Sequence, residues 1–590
     1  MRREATLALA LASGLALGAA EKPAARVTPG ARTVAETGER YWNHVLQDSI
    51  GLRSRLGLPI ETLPELSAAH VRSDAAFARG LLKLVRSVKA SDLTHEEWLS
   101  AEILKDQLGE MIEDERLFQL TFPVTPYAGP YRDLQTAFAG LPLVTKADLE
   151  RYERLLGQLG RLIGQIEDHL RAQADRKVVL PRDEVDLVAG MLRGLLRSPE
   201  ESVFTVKTER LAALESGDGD AFRLRVLNAV DPKVNAALRS LVAYVAGEYR
   251  AKAPAAVGLK QYKGGLDQYR ALVRRYTTPD LTPEAIHAIG LAEVARNNRE
   301  LEALRKKVGF DGTLADFLKF LKTDARFFPK SSAEIGERLL ADQNRIVPRI
   351  PEFFGRTPKA PWGVAPLQKE LEGSMTFGYY DTPRPGMPEG RYLYNGSRLN
   401  ERTLLTAAAL IAHELVPGHH FQIALTRENT ALPPFRRETF TTAYVEGWGE
   451  YASSVAGEMG MYEDPYDRIG RLMMDQFLSV RLVVDTGMNA LGWSREKAMD
   501  FMRHHVLESD TQIATETLRY SCDIPGQALA YKIGSLKFRQ LREKAAAALG
   551  PAFDVRKFHD AVLLSGPLPL PILEKHVDWW IGTQKAGPPR

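Results

Sequence analysis

Apolar positions along this chain recur at intervals of three and four. Leu149, Tyr152, Leu156, Leu159, Ile163, Ile166 and Leu170 form one stripe, the spacing that places side chains on a single face of an α-helix. Thr145, with Asp148 three residues on, supplies a capping start for that helix, and the stripe predicts a core-facing surface. Thr282-Pro283-Glu284 opens another helix, with proline at the first helical position, where its missing N–H has no partner to lose. One stretch reads otherwise. Residues 374–380 and 391–395 are rich in strand formers and flank the Pro- and Gly-laden residues 381–390, which predicts a β-hairpin with a long loop. An edge strand there is a candidate clamp for an extended peptide; simple packing of its tyrosines is the alternative. The pattern therefore predicts a mainly α fold with a small β-hairpin or sheet. A weak break at residues 251–265, rich in Ala, Lys and Gly, divides an N-terminal helical lobe, residues 21–255, from a second helical lobe, residues 256–590, with a channel between them. No long low-complexity linker intervenes, so the two lobes are expected to form one continuous unit.

The first twenty residues change the picture. Arg2-Arg3, an apolar run over residues 5–17 and the small residues Gly18, Ala19 and Ala20 make the pattern of a signal peptide cleaved near Ala20. The run is short for a bilayer span, so no stable membrane insertion is expected after cleavage; retention as an N-terminal anchor is the alternative. No cysteine follows the cleavage region, which argues against an acylated anchor, and the single Cys522 has no internal disulfide partner. A large exported chain without disulfides fits the bacterial periplasm or secretion. Charge is nearly balanced, 78 basic against 75 acidic residues, which argues against nucleic acid as a partner.

The chemistry concentrates in His413-Glu414-Leu415-Val416-Pro417-Gly418-His419-His420, directly after the apolar residues 404–412. In a His-Glu-x-x-His helix, two histidines one turn apart bind one Zn²⁺ and the Glu between them is the general base. Here the second histidine comes two residues late. In an unbroken helix His413 and His419 would point to roughly opposite sides, since six residues advance about 600°. His420 would return to the first face about 10.5 Å further along the axis, too far to share a metal. Pro417 clashes with the carbonyl of His413 four residues back, and Gly418 permits unusual backbone angles. If the Pro-Gly pair bulges out, the remainder reads His-Glu-Leu-Val-His and His419 becomes the second ligand; His420 is the less favoured choice. Glu446, in Ala443-Tyr444-Val445-Glu446-Gly447-Trp448-Gly449-Glu450-Tyr451, is the best third ligand, on a helix starting near Thr439, Thr441 or Thr442. Glu450 lies one turn further on the same face, as the ligand itself or as a group that orients a histidine.

The stretches HELVPGHHFQ, AYVEGWGEYA, PGQALAYKIG at residues 525–534 and RRYTTPDLTPEAIHAIGLAEV at residues 274–294 resemble the bacterial family known as domain of unknown function 885, over about residues 35 to 585. The resemblance implies a zinc metallohydrolase built like the two-lobed, all-helical gluzincin peptidases of the neurolysin and carboxypeptidase Taq type, with His413, His419 and Glu446 as metal ligands and Glu414 as base. Gly449-Glu450 departs from the Ala-Leu that many members carry after Glu-Gly-Trp, which leaves the part played by Glu450 open.

These residues predict a mechanism. Zn²⁺ on two imidazoles and one carboxylate keeps an open position for water, Glu414 takes its proton, and Tyr520 and Tyr531, flanking Pro525-Gly526-Gln527, are candidate donors to the oxyanion. Arg519 or Lys532 are candidate holders of a substrate carboxylate. The expected substrate is a short peptide, with a non-peptide amide or ester, or a non-catalytic binding role, as alternatives. A structural zinc site is disfavoured because no cysteine lies near the motif.

Overall fold

A computed structural model describes residues 28–214, 217–372 and 378–586. The leader pattern of residues 1–20 lies outside them, as do residues 374–377 of the expected hairpin. The described chain is mainly helical. Its main hydrophobic core runs continuously from Val34 to Ile581 and draws on both halves of the sequence. No described helix is long and apolar enough to cross a membrane.

The predicted helices form where their caps place them. The stripe that begins at Leu149 lies on α1, Lys146–Asp175, where the Thr145 side chain accepts from the Asp148 amide and Asp148 reciprocates at the Thr145 amide. Every member of the stripe is buried. Thr282 caps α2, Pro283–Lys307. A three-stranded sheet follows, β1 (Trp362–Pro366), β2 (Tyr379–Asp381) and β3 (Gly390–Tyr394), in the order β1-β3-β2. The expected hairpin is β2 and β3, paired antiparallel with Tyr380 opposite Tyr392. β1 joins parallel to β3, a strand the hairpin reading did not include.

Five further helices build the centre: α3 (Ala407–Glu414), α4 (His419–Glu428), α5 (Thr442–Glu458), α6 (Pro465–Asn489) and α7 (Leu529–Leu549). α6 is buried on every side over most of its length, so it serves as the post against which α2, α3 and α7 pack. Glycines set the closest approaches. A Cβ on Gly290 of α2 would lie 2.8 Å from the Leu482 and Val483 side chains of α6. α5 and α7 cross where Gly447 meets Gly534, and a Cβ on Gly534 would stand 2.0 Å from the Ala443 carbonyl oxygen.

That contact is backbone to backbone, so no side-chain rotation relieves it. Gly534→Ala is expected to lower unfolding free energy by about 1–3 kcal/mol, the usual cost of overpacking a core, read as a shift in the urea midpoint. An unchanged midpoint would show that α5 and α7 are free to part.

Candidate metal centre

The His-Glu segment does not bulge within one helix; it splits into two. α3 stops at Glu414 and α4 starts at His419, with residues 415–418 as a four-residue link. The expected bulge is therefore corrected to a full break, and the reason is steric. Pro417 blocks helical continuation, and a Cβ on Gly418 would lie 1.8 Å from the His413 carbonyl oxygen, so only glycine lets the chain double back here. The polar groups of the link are satisfied from outside. Gln343 donates to the Val416 carbonyl (2.6 Å) and accepts from the Val416 amide, and Trp448 Nε1 donates to the Pro417 carbonyl (2.9 Å).

This return brings His419, not His420, to His413. Their Nε2 atoms are 3.0 Å apart. Glu446 Oε2 lies 3.6 Å from His413 Nε2 and 3.3 Å from His419 Nε2. A triangle with these sides has a circumscribed radius of about 1.9 Å, just inside the ~2.0–2.2 Å of zinc bonds to imidazole and carboxylate. These three atoms would therefore fit as ligands of one divalent cation.

Electrostatics points the same way. Burial works to lower the pKa of His413, but hydrogen bonds to Glu446 and Glu450 overcome it and raise the group to about 10. Burial works to raise Glu446, yet the two imidazoles hold it well below the ordinary carboxylate range. Glu450 is held low by Arg471 and His413 against its own burial. Three carboxylates, Glu446, Glu450 and Glu414, thus act on His413. Glu450 Oε1 accepts from His413 Nδ1 at 2.9 Å, and its other oxygen pairs with Arg471 Nη1 at 3.1 Å. It therefore orients His413 and is not one of the three converging donors. At Gly449 a Cβ would lie 2.8–2.9 Å from the His413 ring.

His413, Glu414, His419, Glu446 and Tyr531 all line a cavity of about 1330 Å³ whose walls come from residues 125–191 as well as 378–531. Glu414 is raised from the ordinary carboxylate range by burial, opposed by His419 and His413. The Tyr531 ring lies parallel to that of His413, centres 6.2 Å apart, and its hydroxyl is pushed up to about 12 by burial and Glu446, so it stays a neutral donor. Gly378, Tyr379 and Tyr380 bring the β2 edge to the same cavity.

A family model described as bacterial protein of unknown function, DUF885, matches residues 50–577. The chain belongs to this family. It is similar in structure to a Colwellia psychrerythraea protein named as a lipoprotein, with TM-score 0.86 and 26% identity over 94% of this chain and 100% of that one. A Shewanella oneidensis protein, named as a lipoprotein of unknown function, shares the fold with TM-score 0.71 at 15% identity, covering 92% of this chain and 99% of that one. No curated protein matches.

Within this DUF885 protein several sequence expectations are corrected. Tyr520 is fully buried and accepts from Arg481 Nε at 2.6 Å; it does not line the cavity. Lys532 is also fully buried, held by Asp475 (2.7 Å) and Glu293 (2.6 Å), so it is not available to a substrate. His420 bonds Tyr380 Oη at 2.9 Å and the Ala360 carbonyl at 3.0 Å, and burial lowers it to about 4; it anchors the sheet. Arg519 does line the cavity. Sequence reading missed Arg471 and Arg481 on α6. The available signal was Asp467, Arg471, Asp475, Arg481 and Asp485, charges interrupting an apolar helix, which buried helices keep only when paired.

Purified protein should carry about one zinc per chain, measured by mass spectrometry of the metal. His413→Ala and His419→Ala should lose it, Gly449→Ala should weaken it by displacing the His413 ring, and Glu450→Gln should cost about 10- to 100-fold in affinity. His420→Ala should retain it. Full zinc in both His413→Ala and His419→Ala would reject the assignment.

Proposed function

We propose that this protein is a zinc-dependent hydrolase that cleaves short peptides in the bacterial envelope, on a two-lobed helical scaffold of the zincin kind. The observation that carries this reading is the triangle of His413, His419 and Glu446 donors, 3.0–3.6 Å on a side, on the wall of a large cavity beside Glu414. Those three residues would hold the ion. The chemistry supplied by a bound zinc is that of a Lewis acid, which polarises a carbonyl and lowers the pKa of water from 15.7 to about 7.

The chain's own groups do the rest. Glu414 follows the first ligand at the end of α3 and makes no side-chain hydrogen bond to a described residue, so its carboxylate is free to take the proton of an attacking water and pass it to the leaving amine. A carboxylate raised by burial is better matched to that return step than an ordinary one. Tyr531, neutral and beside His413, donates to the oxygen on which charge develops. Glu450 fixes the His413 ring so that Nε2 keeps its direction. β2, the last strand in the sheet order and on the cavity wall, is where an extended substrate would add as a further strand.

Cavity size favours peptides over single small molecules. At about 1330 Å³ it exceeds the ~300–1,000 Å³ of ordinary ligand pockets, and its enclosure by both halves of the chain disfavours folded proteins. The leader pattern and the names of the two similar structures support an envelope location; Cys522, the single cysteine, is buried.

Glu414→Gln is expected to keep its zinc and lose about 10²- to 10⁴-fold in kcat/KM on a cleaved peptide, the usual worth of a general base. Near-normal turnover with full zinc would exclude Glu414 from that role. A peptide library digested by zinc-loaded wild type and read by mass spectrometry tests the substrate class; cleavage of esters or acyl amides alone would remove the peptidase reading.

A further inference from the structure

Past Tyr531, the cavity wall carries two guanidinium groups that the proposed hydrolysis leaves unused. Arg481 of α6 is 5% exposed. Its Nε donates to Tyr520 and its Nη2 to Glu516 Oε2 at 3.0 Å, while Nη1 makes no hydrogen bond to a described residue. Its guanidinium lies 4.3 Å from the Phe477 ring centre and 5.0 Å from that of Tyr531, which fixes its plane. Arg519 opens the π-helical turn Arg519–Asp523. Its Nη2 donates to Gln527 Oε1 at 2.7 Å, and its Nη1 stands 3.6 Å from Glu516 Oε1. Both arginines line the cavity.

The acids that act on this guanidinium pair are Glu516 and Glu508, with Glu446 reaching Arg481 through space only. Two guanidiniums share one carboxylate, Glu516. Glu508, also on the cavity wall, is pushed up to about 7 by burial and by Glu516, so it neutralises them only in part at neutral pH. Asp485 and Asp523 are raised to about 7 by burial and are engaged elsewhere, Asp485 by Tyr269 and the Gly526 amide, Asp523 by the Tyr127 and Ala128 amides. A desolvated cation without a full partner is costly, and an anionic ligand supplies the missing charge. Guanidinium forks match a carboxylate in shape as well as sign.

Distance then selects which carboxylate. Arg481 is 5.0 Å from the Tyr531 ring centre, itself 6.2 Å from that of His413, so the guanidinium lies within about 11 Å of the His413 ring. Extended chain covers ~3.3–3.6 Å per residue, and a charge-assisted hydrogen bond takes up roughly 3 Å, which leaves room for one or two residues. We infer that Arg481 and Arg519 form the receptor for the C-terminal carboxylate of a peptide, so that the bond cleaved lies one or two residues from that terminus. This rests on the peptidase reading above. Water adds across that C–N bond, leaving a shortened peptide acid and a free amino acid or dipeptide.

The test uses N-acetyl-Phe-Ala-Ala and the same peptide as its C-terminal amide. Binding is measured by calorimetry on zinc-loaded Glu414→Gln protein, and turnover on zinc-loaded wild type. The acid should bind roughly 10- to 100-fold tighter than the amide, the range for a hydrogen-bonded charge. Adding Arg519→Gln should remove most of that difference, Arg519→Lys should keep part of it, and Glu516→Gln, which removes the competing carboxylate, should enlarge it. Circular dichroism and zinc content establish that each variant is folded. Equal binding of acid and amide, no binding of either, or an acid preference untouched in folded Arg519→Gln overturns the receptor, as does cleavage only at interior bonds. Acid preference without any turnover would leave the receptor standing and remove the peptidase reading; turnover with equal binding would do the reverse.

Discussion

A buried carboxylate governs the centre of this molecule. Glu450 is 1% exposed, and a charge so far from water persists only when paired on both oxygens. Its partners are His413 Nδ1 and Arg471, which come from α3 and α6. One acid on α5 therefore ties three helices together. It also decides direction: with Nδ1 committed to Glu450, the only ring nitrogen His413 has left is Nε2, which faces His419 and Glu446. The orientation of the first ligand thus follows from satisfying a buried charge on the neighbouring helix.

Glycine supplies the other half of the arrangement. Gly447 and Gly449 are two residues apart on α5 and face different neighbours, α7 through Gly534 and α3 through the His413 ring. Side chains at those positions would hold the helices apart by the width of a methyl group or more, and the donor triangle would open beyond bonding distance of one ion. The conformational cost of glycine within a helix, about 0.5–1 kcal/mol each relative to alanine, is offset by close packing that no other residue permits.

Much of this was legible in the sequence, and what was not has a physical cause. Caps and stripes placed α1 and α2, because those signals are local. The impossibility of sharing an ion between His413 and an in-line His419 was also local, and it forced a distortion whose position Pro417 and Gly418 marked. The form of the distortion was not local. A full break leaves backbone groups of the 415–418 link needing partners, and these come from Gln343 and Trp448, one some seventy residues upstream and the other on α5. Tyr520 and Tyr531 looked equivalent around one turn, yet Tyr531 reaches the cavity from α7 while Tyr520, in the π-helical turn, is packed against Arg481. A π-helical turn changes the residues per turn and so the faces of everything after it, and no spacing rule in the sequence announces one.

The same turn links the two ends of the cavity. By widening the helix at Arg519–Asp523, it buries the Tyr520 ring behind Arg481 and leaves Arg519 on the cavity wall near Tyr531. Arg481 is held by Tyr520 on one edge and by the Tyr531 face on the other, so the tyrosine beside His413 is also the spacer that sets how far the cations stand from the metal ligands. The Tyr531 ring lies between the His413, His419 and Glu446 cluster and the Arg481 and Arg519 pair. If the two proposals hold, a ligand with a carboxylate at one end and a scissile bond near the other would be held by both clusters at once, which is a stronger constraint on it than the volume of the cavity alone.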